Sequence, residues 1–396
     1  MKLPPILPAV PNGGEVQVAR AVSRSAMEIY LCARPTDLSA DFESQAAGMY
    51  GNLLRELPRH GVDLRDIVTE KVFLSDLAAQ LPGLLAIRRK HLGGGDPESA
   101  LLPATTFVQQ PPARRGQLCE IQVFAIIAGD GPSIVHRRLD SLPGEASGRV
   151  VETGDLHHIF LANLTGGRAG DGLDFTGQAA SMFEGAETLL AREGLSFRDV
   201  VRTWIYLSDI DRHYDDLNRA RRVFFQSRGV IPCPASTGIQ GKVSPADRGC
   251  GLDLRALAGA GRFQIRPIHA STMNEAPSYG SDFSRGMQVT TGDRAVIYVS
   301  GTASIDTEGR VLHVGDLPGQ ADRMLLNIQQ LLAEQGAGFR HLVSAITYLK
   351  RPEDLPPMLE VCRRRGFPGQ IPNTFCIADV CRPEWLCEME VIAVMA

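Results

Sequence analysis

The chain has 396 residues, a formal net charge of −4, 44% hydrophobic and 22% charged residues. That balance gives no global basic field for nucleic acid, and no apolar run approaches the ~20 residues a membrane-spanning helix needs. Eight cysteines (Cys32, Cys119, Cys233, Cys250, Cys362, Cys376, Cys381, Cys387) form no CxxC pair, which argues against structural zinc or a disulfide framework and fits a reducing cytoplasm.

Residues 1–14 carry one Lys and several prolines without a cleavage-site pattern and read as an irregular leader, not a signal peptide. Residues 15–130 make a first unit, residues 148–260 a second and residues 263–396 a third. One cassette defines them: residues 45–76, 178–209 and 320–351 align without a gap. Each copy opens with Gln (Gln45, Gln178, Gln320), has Gly sixteen positions on (Gly61, Gly194, Gly336), then Leu thirteen later (Leu74, Leu207, Leu349). In the second copy Met182, Ala186, Leu189 and Leu190 recur at helical spacing, Gly194 stands where a helix stop needs a left-handed residue, and residues 200–207 are β-branched and aromatic. Helix, glycine stop and strand describe an amphipathic helix lying on a sheet. The period is too long and too β-rich for the common helical arrays, so the fold class expected is α+β, with three tandem units closed into an intramolecular pseudo-threefold trimer.

Around the cassettes, residues 82–91 read as a second helix of unit one with Pro82 near its first position. A Gly-rich loop, GGGDPES, follows, and then Pro103-Ala104-Thr105-Thr106 leads into a strand, with Pro111 and Pro112 marking a loop before a closing strand over 119–127. After a polar linker at 141–147, unit two repeats the plan: a helix over 214–225, Pro234-Ala235-Ser236-Thr237-Gly238 at the place of 103–106, and a closing strand over 250–257. His157 and His158 fall in a strand and read as packed or hydrogen-bonded residues; His213, His313 and His341 have no partner at metal-ligand spacing. Unit three carries NEAPSYGSDFSRG, a strand running into Gly301-Thr302-Ala303-Ser304, a turn at 306–309, a short helix over 355–365 and a last strand with Glu388 near its start.

The cassette, the Pro-Ala-(Ser/Thr)-Thr strand and the closing acidic strand resemble the RidA superfamily, also called the YjgF family, seen three times. The resemblance implies the RidA, chorismate-mutase-like fold, with ligand sites in the clefts between units. Units two and three together are similar to chorismatases, through YDDLNRARRVFF, PASTGI, YGSDFSRG, VSGTAS and ADVCRPEWLCEME. That similarity implies Glu388 as the catalytic acid and gives Cys381 and Ala303 the positions that separate product subtypes, with the two pointing to opposite subtypes. Simple RidA imine hydrolases carry a carboxylate-binding Arg directly after Pro-Ala. Read here at Thr105, Ser236 and Thr374, that position has no Arg, which disfavours imine deamination.

An acid recurs in the closing strands as Glu120, Asp253 and Glu388; a carboxyl desolvated in a cleft suits general-acid protonation of a vinyl ether. A dianionic substrate needs cations, and Arg382, Arg285, Arg221 and Lys350 are the candidates, each with an ordinary surface charge as its alternative. Tyr279, Ser236 and Thr237 would orient the ligand, Gly301 and Ala303 would leave room for it, and Arg382 beside Cys381 would favour a thiolate. The leading expectation is a chorismatase-like enzyme using no cofactor and no metal on a small carboxylated, chorismate-like molecule. The alternatives are another hydrolase, lyase or tautomerase in the same cleft, or a non-catalytic metabolite-binding protein. Neither nucleic acid nor membrane is an expected partner, a ribonuclease is disfavoured for want of a basic aromatic stripe, and further self-association of the ring stays open.

Overall fold

The computed structural model describes residues 15–93, 102–131, 133–139, 146–167, 170–259 and 263–395, and leaves the side chain of Tyr279 undescribed. The leader, nearly all of the GGGDPES loop and most of the 141–147 linker lie outside these residues. The first unit supplies β1 (Val16–Val22), β2 (Ala26–Ala33), α1 (Phe42–Glu56), β3 (Ile67–Leu74), α2 (Leu77–Leu92), β4 (Ala104–Gln109) and β5 (Cys119–Ala128). The second supplies β6 (Ile134–Arg138), β7 (Ser147–Thr153), β8 (Leu156–Thr165), α3 (Phe175–Arg192), β9 (Val200–Leu207), α4 (Ile210–Arg228), β10 (Ala235–Gln240), β11 (Lys242–Val243) and β12 (Cys250–Gly259). The third supplies β13 (Gln264–Pro267), β14 (Gly286–Thr290), β15 (Ala295–Thr302), α5 (Leu317–Ala333), β16 (Leu342–Leu349), α6 (Leu355–Arg364), β17 (Asn373–Ile377) and β18 (Cys387–Met395).

These strands form three six-stranded sheets, ordered β1-β2-β5-β3-β4-β11, β10-β9-β12-β8-β7-β6 and β13-β14-β15-β18-β16-β17. In each, the cassette strand pairs parallel with the Pro-Ala strand on one side and antiparallel with the closing strand on the other. Five of the six helices α1–α6 start on aspartate caps: Asp41, Asp76, Asp174, Asp209 and Asp316 each accept a backbone N–H of the first turn. They stop as expected, with Gly61, Gly194 and Gly336 at φ of 69°, 74° and 76°, a region that costs glycine nothing. The helix α2 differs from expectation. Asp76 caps it at Leu77, so Pro82 lies inside it and gives up one backbone bond.

The repeated Gln has a structural reason. Gln45 Oε1 accepts from Leu118 N at 2.9 Å and Gln320 Oε1 from Leu386 N at 2.8 Å, while Gln178 Oε1 accepts from Gly249 N at 2.8 Å. Each ties the start of a helix to the residue that leads into a closing strand.

Three apolar cores lie under the helix pairs. A fourth joins the inner faces of all three sheets, drawing on Tyr30 and Phe124, Phe160 and Val201, and Met287, Tyr298 and Val343. Backbone pairing closes the ring: Val243 with Val108, Ala235 with Ser284, and Pro112 with Cys376 join one with two, two with three and three with one. The chain is an intramolecular pseudo-threefold trimer of α+β units. No helix among the described residues is long and apolar enough to cross a membrane.

Candidate active site

Each closing strand carries a buried carboxyl near the junction with the preceding unit, so the three junctions can be compared. Between units three and one, Glu120 is saturated. Arg34 Nε lies 3.0 Å from its Oε2, Gln117 Nε2 donates to the same oxygen at 2.8 Å, and Thr374 Oγ1 donates to Oε1 at 2.7 Å. Arg34 also reaches the carbonyl of Asn373 at 2.7 Å, a contact spanning 339 residues of sequence. Between units one and two, Asp253 accepts from Thr106 Oγ1 at 2.5 Å, Asn163 N at 2.9 Å and Tyr206 OH at 2.8 Å, with Lys71 Nζ at 3.5 Å.

The junction of units two and three is different. Glu388 is 4% exposed, and its carboxyl has no hydrogen bond or ion pair among the described residues. Burial, and then the neighbouring Glu390 charge, push it up to about 8 against the pull of Arg285 and Arg202. Register explains the vacancy in its pairing. Ala33 pairs with Ile121 and Thr302 with Met389, so the next residues, Arg34 and Ala303, stand at Glu120 and Glu388 respectively. Where the first unit holds a guanidinium, the third holds a methyl. A Cβ on Gly301 would lie 1.9 Å from Glu388 Oε1, so only glycine admits the carboxyl in this position.

Around Glu388, Thr237 Oγ1 accepts from Arg202 Nη2 at 2.6 Å and from Gly301 N at 3.0 Å. Ser236 N donates to Ser300 Oγ at 2.9 Å, and Thr203 Oγ1 donates to Ser236 Oγ at 2.9 Å. Arg285 is buried, donates to Asn274 through Nε (2.7 Å) and Nη2 (3.0 Å), and lies 5.6 Å from the Phe283 ring. Arg221, also buried, lies 5.7 Å from the same ring and bonds Asn218 Oδ1 at 2.6 Å. Phe283 is thus shared by two guanidinium groups. Cys381 interacts with Glu388, Tyr214 and Arg285, and burial pushes its thiol up to about 12.

The structure corrects the thiolate expectation and the matching of the acids and of the Pro-Ala strands, and it places the remaining candidates. Desolvation outweighs the adjacent Arg382, so Cys381 is a neutral thiol, not a thiolate. Arg382 donates to the Gly309 carbonyl at 2.7 Å and lies over Trp385, while Lys350 donates to the Pro383 carbonyl at 2.7 Å. No described contact brings either to Glu388. Ala303 is buried with its carbonyl held by Asn327. Tyr279 closes a 3-10 turn whose backbone alone is described. The acids do not recur at one position: Tyr206 pairs with Gly251 and Tyr348 with Glu388, so Asp253 matches Glu390 instead. Likewise Lys71, Trp204 and Ile346 pair with Thr106, Thr237 and Thr374, which places Asn373, not Thr374, beside Thr105 and Ser236. The position remains without Arg.

Arg202, Glu390, Tyr214 and Phe283 went unrecognised in the sequence. Glu390 accepts from Arg202 Nη2 at 2.9 Å, Trp204 Nε1 at 2.6 Å and Tyr348 OH at 3.3 Å, forming a buried hub two residues from Glu388. A lone Arg inside VVRTWIYL was the available signal, since a charge in a buried strand requires a partner. Among the described residues no group of three or more His, Cys, Asp or Glu could hold a metal ion, and all eight cysteines are free.

Residues 273–395 match the family model described as Endoribonuclease L-PSP. A chorismatase crystal structure superposes with a TM-score of 0.60, covering 94% of this chain and 99% of that one at 17% identity. The fold is a chorismatase fold. Among sequences, the 3-hydroxybenzoate synthase of Streptomyces hygroscopicus is 29% identical over 226 residues, half of this chain and 64% of that protein. The 3-aminoacrylate deaminase RutC of Acinetobacter baylyi is 27% identical over 99 residues, 25% of this chain and 78% of that protein. Within the chorismatase fold, the junction of units two and three is where a buried carboxyl stands without a described partner.

Proposed function

We propose that the chain is a chorismatase-like hydrolase that cleaves the enolpyruvyl ether of chorismate, or of a related carboxylated metabolite, at the junction of units two and three. The observation that carries this reading is Glu388, a buried carboxyl raised to about 8 without a described partner, while Glu120 and Asp253 are saturated by their surroundings. A carboxyl that keeps its proton near neutral pH can deliver it to carbon. The similarity to a 3-hydroxybenzoate synthase and to a chorismatase supplies the substrate class.

In this mechanism Glu388 gives its proton to the methylene carbon, and the vinyl π pair forms the new C–H bond. The resulting oxocarbenium ion takes up water, whose released proton returns to the Glu388 carboxylate. The hemiketal then breaks its bond to the ring oxygen, which leaves as the ring alcohol, and pyruvate is the second product. Arg285 and Arg221 hold the two carboxylates with Phe283 between them, and Ser236 and Thr237 fix the ring side. Cys381, as a neutral thiol, shapes the pocket and does not attack. Arg382 and Lys350, engaged with backbone carbonyls, support the turn before β18.

Incubating purified protein with chorismate and following pyruvate tests the reading. Release by the wild type and its loss in Glu388→Gln are expected. No release from chorismate or from other enolpyruvyl ethers, by protein shown to be folded, overturns it and favours a binding function or another hydrolase, lyase or tautomerase.

A further inference from the structure

A partly open cavity in the middle of the ring lies away from Glu388. This cavity of about 110 Å³ lies where the three inner sheet faces meet, lined by residues of all three units that include Lys71, Arg202, Trp204 and Tyr298. For scale, a cavity of ~150 Å³ holds benzene, so this one limits a guest to roughly six non-hydrogen atoms or fewer.

Most charges on its wall already have partners. Glu70 is held by Arg88, Tyr50 and Thr105, and Glu390 by Arg202, Trp204 and Tyr348. Asp253 accepts from three other donors besides its contact with Lys71. Arg255 lies over Phe124, Phe160 and Tyr298 and faces Glu28. Two groups remain. Nη1 of Arg202, a residue only 1% exposed, has no hydrogen-bond partner among the described residues. The Lys71 amine sits over Trp204 (4.6 Å) and Tyr206 (5.2 Å), with Asp253 at 3.5 Å as its polar contact.

The composition makes this amine conspicuous. The chain has only five lysines, Lys2, Lys71, Lys90, Lys242 and Lys350, among 41 basic residues. Arginine serves nearly everywhere else, and arginine cannot act as an amine nucleophile. Lys90 and Lys242 are exposed, whereas Lys71 is largely buried. Burial against the aromatic rings lowers its basicity despite the acids nearby.

We propose that the axial cavity is a second ligand site, which binds a small 2-oxo acid as a reversible imine on Lys71 with its carboxylate on Arg202. The Lys71 nitrogen adds to the keto carbon, and the carbonyl oxygen leaves as water with the two amine hydrogens. Asp253 relays the proton between nitrogen and oxygen and keeps its three other donors afterwards. Arg202 turns its free Nη1 to the carboxylate while Nη2 stays on Glu390 and Thr237. The cavity is separate from the Glu388 junction, to which Arg202 is linked through Thr237, and the proposal does not depend on the hydrolase reading.

The five lysines allow a test within one molecule. Full-length protein is treated with glyoxylate or pyruvate and borohydride, which fixes an imine as a secondary amine, then digested and mapped by mass spectrometry. Lys71 is expected to be labelled at least tenfold more than Lys2, Lys90, Lys242 or Lys350. Propanal, which lacks the carboxylate, is expected to show no such preference, and Arg202→Leu to raise the glyoxylate concentration for half-labelling tenfold or more. Lys71→Arg, with an unchanged melting temperature, should lose the preferred adduct. Labelling of Lys71 no higher than that of the other lysines in folded wild-type protein overturns the proposal, as does equal preference for propanal.

Discussion

Gly301 and Glu388 are coupled by space. Gly301→Ala places a methyl within 1.9 Å of a carboxyl oxygen, so the acid must swing away from the substrate. A displacement of this size costs about 10²-fold in kcat, with little change in melting temperature, measured by pyruvate release and thermal scanning. Glu388 also predicts a pH response. Its proton is held more tightly folded than unfolded, so the stability it contributes is complete below the ordinary carboxyl value of 4.5 and is lost as pH rises through about 8. Glu388→Gln removes that loss and should raise the melting temperature relative to wild type more at pH 9 than at pH 5. Wild-type kcat/KM should fall as pH rises through about 8, where the acid loses its proton. The sequence marked Glu388 because it sits beside a motif. It hid Arg202 and Lys71, whose meaning comes from partners such as Glu390, 188 residues from Arg202.

The helix–Gly–strand cassette was readable because its signals are local: an apolar stripe, a left-handed glycine and a β-branched run. What failed was register between strands. Spacing alone puts Thr374 where Asn373 belongs and Asp253 beside Glu120 and Glu388, since a single sequence does not show which residue faces which across a sheet. Structure adds a role for the repeated Gln. Gln320 is fully buried and bonds Leu386 N and the Glu384 carbonyl at the entrance to β18, which carries Glu388. Gln320→Ala removes both bonds; water can reach the exposed Glu384, but the half-buried Leu386 N–H is left unsatisfied, at roughly 1–3 kcal/mol. It should lower stability and reduce kcat more than it changes KM, because the strand bearing the acid loses its anchor. Denaturant titration and steady-state kinetics read the two effects separately.

Three junctions of one design have diverged, which a ring of identical chains could not do. Glu120 neutralises Arg34, so Glu120→Gln leaves a buried guanidinium with neutral partners and no counter-charge, and should cost about 3–5 kcal/mol of stability. Pyruvate release per folded molecule should be unchanged, because that junction lacks an unpaired acid; loss of turnover in folded Glu120→Gln would contradict this division of labour. The pseudo-threefold plan was legible from the repeat alone. The asymmetry was not, because it depends on substitutions at equivalent sites, Arg34 against Ala303 and Gly251 against Glu388, that align only in three dimensions.

The link from Arg34 to the Asn373 carbonyl has a consequence for how the molecule is made. The two residues are 339 positions apart, and ribosomes add about 5–20 residues per second. The newborn first unit therefore waits on the order of half a minute with a charged flank uncovered before its final neighbour emerges. During that interval a chaperone, or unit three of an older chain, competes for the same edge, so slowing translation should favour intertwined dimers over closed monomers.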